Sequence, residues 1–278
     1  MINEYRLLID TEDKKGLVYK VSEILYKYGL NIEKNSEYVD KNVNKFFMRT
    51  IITGDFDTTI LLEHIKQILP TNAEIQLFPA IKKDIIILAT KETHCLGDIL
   101  IKNYSGELDA NIKAVISNHN DLEQLVNKFD IPYEFIDSNN ISRQEHETKI
   151  IDKINAYGCE IIVLAKYMRI LTPNFVKTFS LKILNIHHSF LPAFIGANPY
   201  KQAYDRGVKL IGATAHYVTN DLDEGPIIAQ DIVRIDHSLS LNTTIKAGRN
   251  IETTVLSNAL DLLLRDKVFV YKNKTVIL

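Results

Sequence analysis

The stretch Asp84-Ile85-Ile86-Ile87-Leu88-Ala89 is an uninterrupted apolar run behind one acidic residue. A strand with one solvated face alternates polar and apolar side chains, so a run without alternation predicts a strand that is buried on both faces. Such strands are typical of parallel sheets, in which helices cover both faces. The run therefore predicts a Rossmann-like α/β domain with a mostly parallel sheet.

The chain downstream of this run alternates between strand and helix patterns, as a parallel sheet requires. Strands are predicted at 112–117, 133–136, 160–165 and 181–187, helices at 121–128, 142–157 and 243–265, and two longer strands, for which antiparallel pairing is one option, at 211–218 and 227–235. Residues 269–271 and 275–278 flank a polar turn and predict a terminal hairpin. In open parallel sheets ligands bind at the carboxyl ends of the strands, so we expect the functional residues there.

The chain upstream follows a different order. Strands are predicted at 5–10, 31–38, 45–52 and 73–78, with helices at 16–29 and 57–69. The order β-α-β-β-α-β is that of the ferredoxin-like split unit. We therefore predict two domains, residues 1–81 and residues 82–278.

Composition and charge narrow the class of protein. The chain is 46% hydrophobic and 24% charged, which is typical of soluble globular proteins, and its net charge is −2. Neither predicted domain has an excess of basic residues, which argues against nucleic acid as a partner. Cys95 and Cys159 show no CxxC spacing, and the N-terminus lacks a signal-peptide pattern, so we expect reduced thiols in a cytoplasmic protein. No apolar run is long enough to span a membrane, and we expect no membrane partner.

Polar residues follow the apolar half of the strand predicted at 181–187, in the order Asn185-Ile-His187-His188. On a strand, Asn185 and His187 share one face, and His188 points to the other. An amide can stabilise an oxyanion and an imidazole can carry a proton, a pair that suits acyl chemistry. The expected carboxylate partner is Asp223, which acts as general base for a water molecule or orients it. His216 is either a hydrogen-bond partner of Asp223 or a structural histidine.

A metal hydrolase is the first alternative, because histidines and Asp223 are suitable ligand types. If His187 and His188 face opposite ways they cannot easily share one ion, and HExxH-type spacing is absent from the sequence. We therefore expect no metal.

Four short motifs resemble the signature of the folate-dependent formyltransferase fold, which includes glycinamide ribonucleotide formyltransferase. They are Asn185-Ile-His187, Ser189-Phe-Leu-Pro192, His216-Tyr-Val and Asp223-Glu-Gly225-Pro-Ile-Ile. The His187-His188 pair, the run Phe194-Ile-Gly-Ala and the extra N-terminal domain resemble one branch, the formyltetrahydrofolate deformylases. The resemblance covers nearly the whole chain. It implies hydrolysis of 10-formyltetrahydrofolate to formate and tetrahydrofolate, without a cofactor, by Asn185, His187 and Asp223.

The resemblance also implies the position of the folate pocket. In related transferases a matching Met-Arg-Ile-Leu backbone lines the pterin site, and here Met168, Arg169, Ile170 and Leu171 follow a predicted strand. A second loop is expected to complete the pocket with Tyr217, Val218, Leu222 and Gly225. Packing of Met168, Ile170 and Leu171 in the core is compatible with this role.

The segment 90–97 departs from the transferases, which carry a glycine-rich, phosphate-binding loop there. It has no glycine before Gly97 and places Glu92 where an anion would lie. We therefore expect water as the formyl acceptor and a role in balancing one-carbon folate pools and supplying formate for purine synthesis. The alternatives are formyl transfer to an amine and a non-catalytic amino-acid or folate sensor.

The segment Asp13-Lys-Lys-Gly16 resembles the turn of ACT domains, small regulatory modules that often bind amino acids where two copies meet. The resemblance implies a homo-oligomer, dimer or tetramer, with a glycine or methionine effector at Asp13, Gly16 and Asn31. The alternative is that Asp13 and Gly16 only cap a helix.

Overall fold

The computed structural model of the chain describes residues 3–193 and 199–278, which form two compact units. The first unit comprises Met1–Ile81 with Arg265–Tyr271 and Thr275–Leu278, and the second comprises Lys82–Leu264 with Lys272–Lys274. The Phe194-Ile-Gly-Ala run lies outside the described residues. No helix among those described is long and apolar enough to cross a membrane.

The first unit is a four-stranded antiparallel sheet with two helices. Its elements are β1 (Glu4–Glu12), α1 (Leu17–Lys27), β2 (Asn31–Asp40), β3 (Lys45–Thr53), α2 (Thr58–Ile68) and β4 (Glu74–Pro79), with strand order β2-β3-β1-β4. Leu7 and Ile9 of β1 are fully buried in one core with the apolar faces of α1 and α2. This arrangement confirms the predicted ferredoxin-like order.

The second unit is a seven-stranded sheet in the order β11-β10-β9-β8-β5-β6-β7. Its elements are β5 (Lys83–Ala89), α3 (Thr93–Tyr104), β6 (Ala110–Ser117), α4 (Glu123–Val126), β7 (Tyr133–Phe135), α5 (Arg143–Tyr157), β8 (Ile161–Ala165), α6 (Pro173–Thr178), β9 (Ile183–His187), α7 (Pro199–Arg206), β10 (Leu210–Tyr217), β11 (Ile227–Arg234) and α8 (Leu241–Leu264). Strands β5 to β9 pair in parallel, and β10 and β11 are antiparallel. The predicted mostly parallel sheet is therefore confirmed.

The residues 85–89 that predicted this sheet are completely buried in β5, which lies between β6 and β8. Since β5, β8 and β9 run parallel, their carboxyl ends meet at one edge of the sheet. The sequence assigned 90–97 to a loop, but the chain is helical from Thr93 onward. The polar residues of the candidate site lie at the same edge.

The last residues of the chain form a hairpin of β12 (Val268–Tyr271) and β13 (Lys274–Ile277). Phe269 packs with Leu8 of β1 and Phe47 of β3, which alternate with the residues that face α1 and α2. Arg49 donates to the carbonyls of Arg265 (2.8 Å) and Asp266 (3.0 Å). We predicted residues 265–278 to be part of the second domain, whereas most of them complete the first unit by covering the free face of its sheet.

Candidate active site

Strand β9 ends in the residues that the sequence singled out, and a turn after β10 brings the carboxylate to them. His187 Nδ1 lies 3.2 Å from Asp223 Oδ2. Asp223 has a φ of +57°, in the left-handed region, which aspartate tolerates better than most side chains. The structure therefore places Asn185, His187 and Asp223 at one site.

His216 links the amide to the carboxylate. It lies opposite Asn185 in the β9–β10 ladder, and its Nδ1 is 2.9 Å from the Tyr217 carbonyl oxygen. Because a carbonyl only accepts hydrogen bonds, Nδ1 carries the proton, and Nε2 accepts from Asn185 Nδ2 at 3.2 Å. His216 Nε2 is also 3.7 Å from Asp223 Oδ1. The histidine thus fixes the orientation of the Asn185 amide.

Asp223 is held as a carboxylate. Burial alone would raise the pKa of its carboxyl group, but the hydrogen bond from His187 Nδ1, with the His216 ring nearby, outweighs burial and holds that pKa far below its usual range. A group with so low a pKa is a weak base. Asp223 is therefore better suited to orient an imidazole and balance its charge than to keep a proton.

The other ring nitrogen of His187, Nε2, faces a cavity. This nitrogen is buried and has no hydrogen-bond partner among the described residues. Since Nδ1 faces the Asp223 carboxylate, the Nε2 lone pair is free to accept a proton. A buried polar atom without a partner is costly, which indicates that a ligand or water satisfies it.

The space in front of His187 is a cavity of about 470 Å³. Six of the residues predicted to bind folate line it, together with Asn185, His216 and Asp223; the six are Met168, Arg169, Ile170, Leu171, Val218 and Leu222. Met168 and Ile170 are 61% and 54% exposed although they are apolar. Exposed apolar side chains around convergent polar groups are typical of a pocket for a flat, largely apolar ligand.

Tyr217 and Gly225, also predicted to bind folate, are not among the residues that line this cavity. Tyr217 is buried, and a Cβ atom on Gly225 would lie 1.8 Å from the Tyr217 carbonyl oxygen. Gly225 therefore allows two backbone segments to approach closely behind Asp223. This close packing explains the glycine in the motif Asp223-Glu-Gly225.

His188 corrects one prediction. We expected it on the face opposite to His187, but both line the same cavity and their rings are 5.2 Å apart. Strand β9 ends at His187, so strand alternation does not extend to the next residue. Burial, and then the nearby Lys166 ammonium group, lower the pKa of His188 to about 4, which keeps its ring neutral at physiological pH.

A buried charged cluster around Glu252 was missed by sequence reasoning. Glu252 on α8 is 1% exposed and contacts His94 Nε2 (2.7 Å), the Tyr200 hydroxyl (2.5 Å) and Lys166 Nζ (3.2 Å). The sequence contains an indication of this cluster, because the acidic residue Glu252 interrupts the buried stripe of α8 between Gly248 and Val255. Burial opposes ionisation, yet these partners lower the pKa of the Glu252 carboxyl group to about 2.

Among the residues that the structure describes, His94, Cys95 and Glu252 are the one group whose ligand atoms lie close enough to hold a metal ion. The group includes neither His187 nor Asp223. Burial raises the pKa of the Cys95 thiol far above its usual range, and the Lys166 ammonium group already balances Glu252. These features suit an internal ion pair better than a cation site.

The predicted effector residues lie in the first unit. Gly16 (φ +87°) immediately precedes α1 and contributes no side-chain cap, and Asp13 donates its backbone N–H to the Asn44 carbonyl at 3.0 Å. Asn31 is exposed and donates to Glu33 Oε1 at 2.7 Å. The left-handed turn at Gly16 leaves the first backbone N–H groups of α1 without a side-chain acceptor from the N-cap position.

Comparison with known proteins assigns both units to families. Residues 5–70 match the ACT domain, and residues 83–260 match the formyl transferase family. A formyltetrahydrofolate deformylase from Haemophilus influenzae is 52% identical over 278 residues, the whole of both chains. The crystal structure of a formyltetrahydrofolate deformylase from Pseudomonas syringae pv. tomato has a TM-score of 0.95 and 39% identity, covering 100% of this chain and 95% of that one.

A transferase of known structure covers a smaller share of the chain. Glycinamide ribonucleotide transformylase 1 from Symbiobacterium toebii has a TM-score of 0.67 and 28% identity, covering 71% of this chain and 94% of that one. The deformylases match almost end to end, whereas this transferase matches a part of the chain. The agreement along the full length shows that the chain belongs to the formyltetrahydrofolate deformylase family.

Proposed function

We propose that the protein hydrolyses 10-formyltetrahydrofolate to formate and tetrahydrofolate. The observation that carries this proposal is the His187–Asp223 pair, whose free Nε2 faces a partly apolar cavity beside an oriented amide. The pair can pass a proton, the amide can stabilise an oxyanion, and the cavity can hold a pterin ring. Family membership supports the same reaction.

In the first step the oxygen of a water molecule attacks the formyl carbon, and His187 Nε2 takes a proton from that water. The negative charge moves to the formyl oxygen, where the Asn185 amide donates a hydrogen bond. One such donor is worth about 3 to 4 kcal/mol in other acyl-transfer enzymes. Asp223 stays ionised and balances the imidazolium that forms.

In the second step the bond between the formyl carbon and N10 breaks, and the nitrogen takes the proton from His187 Nε2. The products are formic acid, which loses its proton at neutral pH, and tetrahydrofolate. Every proton is carried by side chains of this chain, so the proposed reaction requires no cofactor and no metal.

Glu92 supports water as the acceptor. It lies at the N-cap position of α3, where the transferases are expected to bind a phosphate. Its carboxylate is 2.8 Å from Arg249 Nη2 and 3.5 Å from His94 Nδ1. A negative charge at this helix end disfavours a second substrate that carries a phosphate.

We also propose that the first unit regulates the enzyme, with glycine or methionine as effector, and that the protein is a cytoplasmic homo-oligomer of two or four copies. Membership in the ACT family supports an amino-acid ligand. The turn at Asp13 and Gly16 and the nearby Asn31 are the proposed contacts. The reaction would balance one-carbon folate pools and supply formate for purine synthesis.

The test is an assay of formate and tetrahydrofolate from 10-formyltetrahydrofolate, with and without glycinamide ribonucleotide as a phosphorylated amine. We expect formate at the same rate in both conditions. Formylation of the amine, with formate released only in trace amounts, would identify a transferase. Folate binding without either product would identify a sensor.

A further inference from the structure

The segment 166–172 joins β8 to α6 and carries the apolar side chains that face the cavity. Met168 and Ile170 are more than half exposed, at 61% and 54%. Tyr167 and Leu171 pack against the core of the second unit, but the exposed apolar side chains between them have little packing to define their position. Contacts at the two ends of the segment therefore help to fix its conformation.

The first end is held by Glu252. Lys166 has a left-handed backbone (φ +59°), its carbonyl accepts from the Thr90 hydroxyl at 2.7 Å, and its ammonium group lies 3.2 Å from Glu252. Both Lys166 and Glu252 are buried, so this ion pair is shielded from solvent. Backbone and side chain of the same residue are thus anchored.

The second end is held by another buried carboxylate, Glu147 of α5, which is 4% exposed. Its oxygens accept from the Thr172 backbone N–H at 3.0 and 3.3 Å and from the Thr172 hydroxyl. Thr172 also caps α6 by accepting from the Phe175 N–H at 3.4 Å. Glu147 therefore fixes the point at which the segment enters the next helix.

Burying a carboxylate costs free energy unless hydrogen bonds or charges compensate for it. Glu147 and Glu252 are not among the residues that line the cavity, and neither contacts the His187–Asp223 pair. We propose that Glu147 and Glu252 are positioning residues that hold the two ends of segment 166–172 in the shape that binds the folate. The identity of the ligand rests on the proposed function.

A preformed segment loses less conformational entropy when the ligand binds. Releasing either end should therefore weaken folate binding and leave the chemical step nearly unchanged. The matched pair for the second end is Thr172→Val, which keeps the shape but removes the hydroxyl, and Thr172→Ser, which keeps the hydroxyl. We expect Thr172→Val to raise the Kd for tetrahydrofolate and the KM about tenfold, with kcat within about twofold, and Thr172→Ser to restore wild-type values.

The first end is tested by the double variant Lys166→Met with Glu252→Gln, which removes both charges and keeps the side-chain lengths. We expect the same rise in Kd and KM, and faster hydrogen exchange of the peptide that spans 166–172. Asp152→Asn, an exposed acid on α5, is the control and should change neither.

Three outcomes would overturn the inference: a fall in kcat at unchanged KM, an unchanged Kd in folded variants, or unchanged exchange of the segment. The proposed function fails separately, if the wild-type enzyme neither binds tetrahydrofolate nor releases formate. In that case hydrogen exchange alone still decides whether the two carboxylates hold the segment.

Discussion

At the scale of single residues, reactivity depends on what each ring nitrogen meets. His187 has a carboxylate at Nδ1 and a cavity at Nε2, His216 has a carbonyl at Nδ1 and an amide at Nε2, and His188 is kept neutral. The three histidines therefore take different roles within one cavity. In the proposed mechanism one carries a proton, one orients an amide, and one forms part of the wall.

We predict that Asp223→Asn lowers kcat by about a hundredfold or more and leaves the Kd for tetrahydrofolate nearly unchanged. Asparagine suits the left-handed backbone at this position but cannot balance an imidazolium. Steady-state kinetics and calorimetry measure the two quantities. If His187→Ala is added to Asp223→Asn, kcat should fall by much less than the product of the two single effects, since the two residues act as a unit. Equal losses of affinity and turnover would contradict this role.

Acid should destabilise the protein through His188. Its pKa is depressed from 6.5 to about 4, so between these values the unfolded chain binds a proton that the folded chain does not. This contribution to the free energy of unfolding is complete above pH 6.5 and is lost as the pH falls toward 4. The total loss is on the order of 3 kcal/mol. Urea unfolding at a series of pH values measures it.

In the same experiment His188→Gln should flatten the pH dependence in this window. His237→Gln, on an exposed histidine, should leave it as in the wild type. A steep loss of stability that persists in His188→Gln would assign the effect to another group.

At the scale of elements, the sequence predicted the strands well because burial on both faces leaves an unmistakable apolar run. Residues 85–89, completely buried in β5, are the clearest example. The sequence predicted the direction of the His188 side chain wrongly. Side chains alternate between the two faces only within a strand, and β9 ends one residue earlier, at His187. Glu252 could not be assigned partners from sequence, since Lys166, His94 and Tyr200 reach it from three other parts of the chain.

The turn between β10 and β11 should be intolerant of a methyl group at Gly225. An added Cβ would meet the Tyr217 carbonyl at 1.8 Å, and backbone cannot move aside as a side-chain tip can. We predict that Gly225→Ala lowers the free energy of unfolding by about 1 to 3 kcal/mol and lowers kcat by displacing Asp223. Gly97→Ala is the control, because open space surrounds that helical glycine. Wild-type stability in Gly225→Ala would refute the argument.

At the scale of the whole molecule, activity should be insensitive to chelation. The proposed proton path uses protein groups alone, and the one metal-capable cluster among the described residues excludes His187 and Asp223. We predict unchanged formate release after prolonged dialysis against a chelator. Loss of activity that a divalent ion restores would favour the metal hydrolase, and metal analysis of the dialysed protein is the control.

The effector should act on the whole enzyme through a coupling free energy of about 1 to 3 kcal/mol. The hairpin contributes residues to both units, because its strands belong to the first unit and its turn, Lys272–Lys274, to the second. In that turn Asn273 donates to the Glu224 carbonyl at 2.8 Å, beside Asp223. We predict that glycine or methionine changes the rate of formate release, and that Asn273→Ala weakens this response.

Asn139→Ala, at an exposed turn of the second unit, is the control and should respond as the wild type does. If no amino acid alters the rate or gives a calorimetric heat, the first unit is an assembly module. The sequence predicted this unit from its element order, but it did not show that most of residues 265–278 complete it. A hairpin pattern is local, and which sheet face it covers depends on contacts more than two hundred residues away in sequence.

The position of that hairpin in the sequence determines when the first unit is completed during translation. The first unit emerges first from the ribosome, yet the sheet face that carries Leu8 and Phe47 is covered only when Phe269 has been synthesised. Until then a nascent chain must keep this apolar face from aggregating while the entire second unit is made. The first unit is thus completed only after the whole second unit has been made, and a chain that stops before Phe269 leaves that sheet face uncovered.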